Sequence, residues 1–353
     1  MSAARIRVLV VEDSVIVRHK LCAVLAADPD LEVIGAAEDG KRAIAMCEEL
    51  RPDVITMDMM LPVMTGLAAT EFIMAHRPTP ILIVSASTNR GELFKTYDAL
   101  AAGAVDVMEK PLGDESDGAW EQRLLSNVKL VSRIRVITHP RGRLGALGKQ
   151  SSQAPAAPRG ATRLASCKAI AIGASTGGPA AIVEVLRRLP PRPSVPVLLV
   201  LHIGEQFASA FAEWLDAQSE LSVGYAEDGA PLAAAAGRVL VAPPGRHLVV
   251  RGGRTALTLD PERHSCRPSV DALFESLARE YPGAVAACLL TGMGQDGALG
   301  LKAVRDSGGF TIAQDEDSCV VYGMPREAVR LGAAERILPI TAIGTTLAEV
   351  VRR

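Results

Sequence analysis

Aromatic side chains are scarce: two Trp, four Tyr and six Phe, 3% of 353 residues. Surfaces that stack unpaired bases need more of them. Charge of one sign is also missing, because 38 Lys+Arg stand against 40 Asp+Glu. That balance does not suit a polyanion binder, and no nucleic-acid partner is expected. Cysteines number six, and the nearest two, Cys266 and Cys288, lie 22 residues apart. The spacing excludes CxxC metal or redox motifs and points to separate buried thiols in a reducing compartment. No apolar run reaches the ~18 residues of a membrane span. The opening MSAARIRVLVVEDS turns acidic at Glu12, too early for a secretory leader. A cytoplasmic protein without membrane insertion is the expectation.

What is present is globular in character, with 48% hydrophobic and 22% charged residues. A chain of this length predicts about two domains. Charge divides it accordingly. Residues 138–163 carry five basic side chains (Arg141, Arg143, Lys149, Arg159, Arg163) and no acid among Pro, Gly, Ala, Ser and Gln, whereas acids outnumber bases on either side. A flexible basic tether is the simpler reading, and a nucleic-acid tail the alternative. The expected organisation is a first domain over 1–125, a helix end and linker over 126–164, and a second domain over 165–353.

Both domains alternate short apolar runs with amphipathic stretches. Runs at 6–13, 31–39, 53–58, 80–86 and 104–111 read as buried strands. Helices are expected over 14–27 with Ser14 as N-cap, over 41–50, and over Trp120–Val136. The second domain repeats the idiom with runs at 168–173, 195–203, 237–244 and 284–292. A hairpin is expected around Gly252–Gly253, and helices over Pro179–Leu189 and Val270–Glu280. Continuous apolar strands separated by helices predict an α/β protein with two doubly wound parallel sheets, each covered on both faces.

Ligands of such sheets sit beyond the C-terminal strand ends. In the first domain those ends carry Glu12 and Asp13, Asp58, Ser85 and Lys110. Three carboxylates at one edge repel one another unless a cation joins them, and few hard oxygens suit Mg²⁺. Lys110 and the Ser85 hydroxyl can meet phosphoryl oxygens, which makes Asp58 the natural nucleophile for an aspartyl phosphate. Taken together, VVEDS, DVITMDMMLPVMTGL, VSAS and GAVDVMEKP resemble the receiver domain of bacterial response regulators across 5–125. The resemblance implies a flavodoxin-like fold and phosphotransfer to Asp58 from a histidine kinase. It also implies Mg²⁺ held by Glu12, Asp13, Asp58 and the Met60 carbonyl. Val107 and Glu109 depart from the aromatic and proline usual at those positions.

In the second domain KAIAIG runs into GASTGGPAAI, so Ser175 lies at a strand-to-helix turn with Pro179 in the first helical turn. Free N–H groups there favour an oxyanion, and GASTG fits the nucleophile-elbow pattern. A Gly-rich cap, or a dinucleotide turn with Glu205 as ribose acid, explains the same stretch. A serine nucleophile requires a base and an orienting acid. His202 directly follows VPVLLVL, and Asp296 sits in the Gly-rich loop after AVAACLL. Ser175, His202 and Asp296 form the favoured set because all three follow buried strands. Ser175, Asp228 and His247 form the alternative.

The segments GASTGGPAAI, FAEWL, VAPPGRHL, RPSVDALFESLA, LLTGMGQDGA and AQDEDSCVVYGMPREAV resemble the catalytic domain of the chemotaxis protein-glutamate methylesterases. They cover nearly all of 168–330 in that family's order. The resemblance implies a Rossmann-like three-layer α/β/α domain. It implies Ser175 as nucleophile, His202 as base and acid, and Asp296 as orienter, with Thr176 and the Met293 N–H lining the oxyanion region. It further implies methyl-ester hydrolysis and glutamine deamidation on chemoreceptors, with no cofactor in the hydrolytic step and with phosphorylation relieving an occluding receiver. Leu201 and Gly204 stand where that family usually has Gln and Pro.

Overall fold

The computed structural model describes residues 4–86, 89–111, 118–134, 136 and 167–351. The chain divides into two units, Met1–Ser151 and Ser152–Arg353. The expected basic tether lies outside the described residues.

In the first unit five parallel strands, β1 (Ile6–Val11), β2 (Leu31–Ala37), β3 (Val54–Met57), β4 (Ile81–Ser85) and β5 (Asp106–Glu109), lie in the order β2-β1-β3-β4-β5. Helices Val15–Ala26, Gly40–Leu50, Gly66–His76, Arg90–Ala101 and Ala119–Val131 connect or follow them. Side-chain caps start four of these helices: Ser14, Asp39, Thr65 and Asn89 each accept an N–H from the first turn. Strand order reverses between β1 and β3, which opens the crevice where such sheets bind ligands. The expected helix Trp120–Val136 stops at Val131. Arg133 N–H donates to the Leu130 carbonyl and Ile134 N–H to that of Val131, so the last turns tighten to i→i+3 bonds.

The main sheet of the second unit holds seven strands, β6 (Ala169–Ala174), β7 (Val197–Leu201), β8 (Ser222–Tyr225), β9 (Arg238–Val241), β12 (Val285–Leu289), β13 (Phe310–Gln314) and β14 (Arg336–Leu338). They are wholly parallel and lie in the order β14-β13-β12-β6-β7-β9-β8. The pair β10 (His247–Arg251) and β11 (Arg254–Thr258) forms the expected antiparallel hairpin, with Gly252 and Gly253 at φ 57° and 70° as the turn demands. Helices Gly178–Leu186, Glu205–Ala208, Phe211–Gln218, Val270–Glu280, Ala298–Asp306, Met324–Arg330 and Ile340–Val351 complete the unit. β6 is first in sequence yet central in space, with β12 on one side and β7 on the other. Every residue of β6, β7 and β12 is buried, so these apolar runs form the core and only their ends reach chemistry. Both sheets are those of an α/β protein with two doubly wound domains.

Candidate active site

In the first unit Glu12 follows β1, Asp58 follows β3, Ser85 ends β4 and Lys110 follows β5. Glu12 and Asp58 are 0% and 2% exposed. The Lys110 ammonium lies 2.9 Å from Glu12 Oε2 and 2.9 Å from Asp58 Oδ2. Burial pushes the Glu12 carboxyl up to about 7; Lys110 opposes the rise and the Asp58 charge adds to it. Burial draws Lys110 down, but the two carboxylates prevail and hold its ammonium above the usual range. Carboxylate oxygens of Glu12, Asp13 and Asp58 fall within 4.8 Å of one another. This hard, oxygen-only donor set fits Mg²⁺. The buried Ser85 hydroxyl has no hydrogen-bond partner among the described residues, so it can donate to an incoming oxygen. Met60 lies at the same edge, two residues past Asp58 and exposed.

In the second unit Ser175, His202 and Asp296 follow β6, β7 and β12, three neighbouring strands with Ser175 on the central one. The His202 N–H donates to the Ala174 carbonyl at 3.0 Å, one step beyond the β6–β7 ladder. His202 therefore stands beside Ser175, on strands that lie ~4.8 Å apart. The loop after β12 carries Asp296 across, and His202 Nε2 meets Asp296 Oδ2 at 2.9 Å. The imidazole–carboxylate pair thus spans the end of the strand that delivers Ser175. No hydrogen bond joins the Ser175 hydroxyl to the ring among the described residues. Such contacts are often loose without substrate.

Asp296 is 2% exposed yet fully engaged. Its Oδ1 accepts from the Ser269 hydroxyl (2.7 Å) and the Asp271 N–H (3.1 Å); its Oδ2 accepts from the Val270 N–H (2.6 Å) as well as from His202. The carboxylate sits on the N-terminus of the Val270–Glu280 helix, where unpaired amides and the dipole favour an anion. Burial raises its pKa, but His202, Ser269 and the Val270 amide outweigh that and hold it below the usual carboxylate range. Burial likewise lowers His202, yet the bond to Asp296 and the nearby Cys266 sulfur dominate, and the ring is pushed up to about 9.

Gly292 lets the same loop pass over Ser175. A Cβ at Gly292 would come within 2.7 Å of Ser175 Cβ and 3.0 Å of its nitrogen, and would strike Met324 Sδ. Gly292→Ala is expected to displace the serine and lower kcat by about 10²-fold, with far-UV circular dichroism unchanged. Thr291 supports the turn from below. Its hydroxyl donates to the Thr176 carbonyl at 3.0 Å, and its own N–H donates to buried Gln314. Thr176 is 5% exposed, and the Met293 N–H has no protein acceptor among the described residues. Beside His202, Leu201, Ile203, Phe211, Tyr225 and Arg267 line a cavity of about 160 Å³.

The alternative set does not assemble. Asp228 Oδ1 accepts the Leu257 N–H at 2.8 Å, and both nitrogens of buried His247 face backbone, Pro261 O at 3.2 Å and Ser269 N at 3.1 Å. Glu205 is exposed at the start of the short helix after His202. Of the departures, Leu201 packs against Gly178, where an added Cβ would meet its Cδ1 at 2.6 Å. Glu109 pairs with Arg123 at 3.0 Å and its carbonyl accepts the Trp120 indole N–H. Sequence reasoning missed Ser269 as the acid's partner, although a serine before an apolar helical run signals a cap. It also missed Thr291, Gln314 and Cys266, which no local pattern marks.

A receiver fold with its acidic crevice, joined in one chain to a parallel α/β domain with serine, histidine and aspartate over adjacent strand ends, defines a response regulator with a hydrolase output. The response regulator receiver domain family matches residues 8–117, and the CheB methylesterase family matches 170–347. A protein-glutamate methylesterase/protein-glutamine glutaminase of Anaeromyxobacter dehalogenans is 44% identical, the match spanning 98% of this chain and 97% of that protein. Another of that name from Nitrosospira multiformis is 42% identical over 98% and 97%. The crystal structure of the Thermotoga maritima CheB methylesterase catalytic domain is 36% identical with a TM-score of 0.50, covering 53% of this chain and all of that one. The chain belongs to the CheB methylesterase family.

Proposed function

We propose that this protein hydrolyses γ-glutamyl methyl esters on chemoreceptors, releasing methanol, and deamidates receptor glutamines by the same chemistry. What supports the reading best is the Asp296–His202 pair standing over the end of the strand that carries Ser175. The relatives are named as protein-glutamate methylesterases and protein-glutamine glutaminases.

In this mechanism Ser175 Oγ attacks the ester carbonyl carbon. With Nε2–H donating to Asp296, His202 presents its Nδ1 lone pair, which takes the serine proton. The oxyanion forms beside Thr176 and receives the Met293 N–H. Collapse expels methanol, which leaves with the imidazolium proton. Water then gives a proton to His202 and attacks the acyl carbon, freeing the glutamate and Ser175. Acid–base help contributes roughly 10²–10⁴-fold. No cofactor enters these steps.

The free base is the scarce form. A ring raised to about 9 is mostly imidazolium at neutral pH, and imidazolium cannot accept the serine proton. Ester kcat/KM is therefore expected to rise with pH through neutrality and level off near the raised value. A profile already flat above an ordinary histidine pKa of ~6.5 would contradict this.

Control is assigned to the receiver. Asp58 accepts phosphate from a histidine kinase, and Glu12, Asp13, Asp58 and the Met60 carbonyl would hold Mg²⁺. The ion, when bound, offsets the charge of the phosphoryl group and the clustered acids. Lys110 and the Ser85 hydroxyl face the phosphoryl oxygens. Phosphorylation is proposed to relieve inhibition of the hydrolase, and the protein is assigned to the cytoplasm. No helix among the described residues is long and apolar enough to cross a membrane. Acetyl phosphate is expected to raise methanol release by the wild type by about tenfold or more, a shift of over 1.4 kcal/mol between states. Asp58→Asn should not respond. A variant that responds as the wild type does would refute phosphate control at Asp58.

A further inference from the structure

The mechanism leaves one group at the site without a role. Cys266 Sγ lies 3.8 Å from His202 Nδ1, the nitrogen that faces away from Asp296. We propose that Cys266 and His202 together form a binding site for Zn²⁺ that shuts off the hydrolase. The inhibitory consequence rests on His202 being the base, whereas binding itself does not.

Geometry favours the metal. With Zn–S near ~2.3 Å and Zn–N near ~2.05 Å, the S···N edge of a tetrahedral site is about 3.6 Å. The observed separation is within a few tenths of an ångström of that edge. Both oxygens of Asp296 already accept hydrogen bonds from the helix start, so it is not a direct ligand. It serves instead as the carboxylate that fixes a metal-binding histidine through its other nitrogen. That bond selects the tautomer with its lone pair on Nδ1, the nitrogen 3.8 Å from the sulfur. A thiolate and an imidazole suit Zn²⁺ and not Mg²⁺, so the site does not compete for the ion of the receiver.

The sulfur is held in place before any metal arrives. Cys266 ends a two-residue turn closed by Arg263 N–H to the Cys266 carbonyl (3.2 Å) and Cys266 N–H to that of Arg263 (2.8 Å). Its central residues, His264 and Ser265, are non-glycine residues at φ 51° and 59°, a conformation kept only where surroundings over-determine it. His264 Nε2 is anchored to Asp271 at 3.2 Å, and Arg263 makes a two-pronged bond to Glu275. Cys266 and His202 are both only partly buried, so an ion can enter, and two coordination positions remain for water. Coordination uses the deprotonated form of each ligand, and any proton displaced leaves to solvent. The new bond occupies the lone pair that would take the Ser175 proton.

The test uses the full chain stripped by chelator, with Mg²⁺ constant and free Zn²⁺ buffered. Wild-type ester hydrolysis should fall at least about tenfold as free Zn²⁺ enters the micromolar range and return with excess chelator. Cys266→Ser and Cys266→Ala, each scaled to its own metal-free rate, should need at least about tenfold more Zn²⁺. Independently of activity, Co²⁺ added to the Ser175→Ala chain should give a near-ultraviolet thiolate-to-cobalt absorption, lost when Cys266→Ser is added. Equal Zn²⁺ sensitivity of wild type and both Cys266 variants overturns the proposal, as does absence of the absorption. Absorption without inhibition overturns the inhibitory claim and, separately, the assignment of His202 as base.

Discussion

Ser175→Ala is expected to lower methanol release from methylated chemoreceptors by roughly 10⁴–10⁶-fold while the protein stays folded. In the proposed mechanism the activity loss follows from removing Oγ, the atom that forms the acyl bond. What remains, the amide donors and substrate positioning, acts on a water molecule that nothing holds in place of Oγ. The fold should survive because the Ser175 side chain makes no hydrogen bond among the described residues and is only half-buried. Its backbone, which donates to Thr291 O and accepts from Gly178 N–H, does not depend on the hydroxyl. The measurement is methanol release from methylated receptor membranes, with the thermal midpoint as control. A variant keeping a tenth of wild-type turnover would exclude Ser175 as nucleophile.

Asp296→Asn should cost activity and stability together. The amide keeps the carboxylate's shape but replaces one acceptor with a donor, and each oxygen here already meets two donors. If the NH₂ takes the Oδ2 position, it donates to His202 Nε2 and forces the proton onto Nδ1, the wrong tautomer for a base. It also leaves the Val270 N–H unpaired. If it takes the Oδ1 position, the Asp271 N–H is left unpaired and the carboxylate charge is still lost from the helix start. An orphaned buried donor costs about 1–3 kcal/mol. The wrong tautomer at such a site lowers kcat by about 10⁴-fold. The pH profile should move as well. Without Asp296 the forces that raise His202 weaken, burial prevails, and the residual activity should titrate at lower pH than in the wild type. A variant with unchanged kcat and an unchanged profile would show that Asp296 does not act through the imidazole.

The parts legible in the sequence were those governed by local chemistry. β6, β7 and β12 are unbroken apolar runs because both faces are buried, and period and length alone mark them. The turn at Gly252–Gly253 is readable because its backbone needs positive φ. Edge strand β8 escaped notice because Ser222–Tyr225 is short and half polar, and β13 and β14 fall where apolar runs are brief. The pattern at Trp120 predicts too long a helix because it continues past Val131 while the hydrogen bonding tightens. Ser175, His202 and Asp296 could be nominated from strand ends. That β12 and β7 flank β6, which lets Asp296 reach His202, is a fact of topology. The two-residue turn that brings Cys266 to His202 Nδ1 also lies beyond any periodicity, since it depends on His264 and Ser265 tolerating left-handed backbone.

The central claim is that the Ser175 hydroxyl is made nucleophilic by His202. Labelling with a fluorophosphonate, followed by peptide mass mapping, tests it most directly. One adduct is expected, on the peptide holding Ser175, formed faster as pH rises toward about 9 and nearly abolished by His202→Ala. An adduct elsewhere, or one on Ser175 at the same rate without His202, would contradict it.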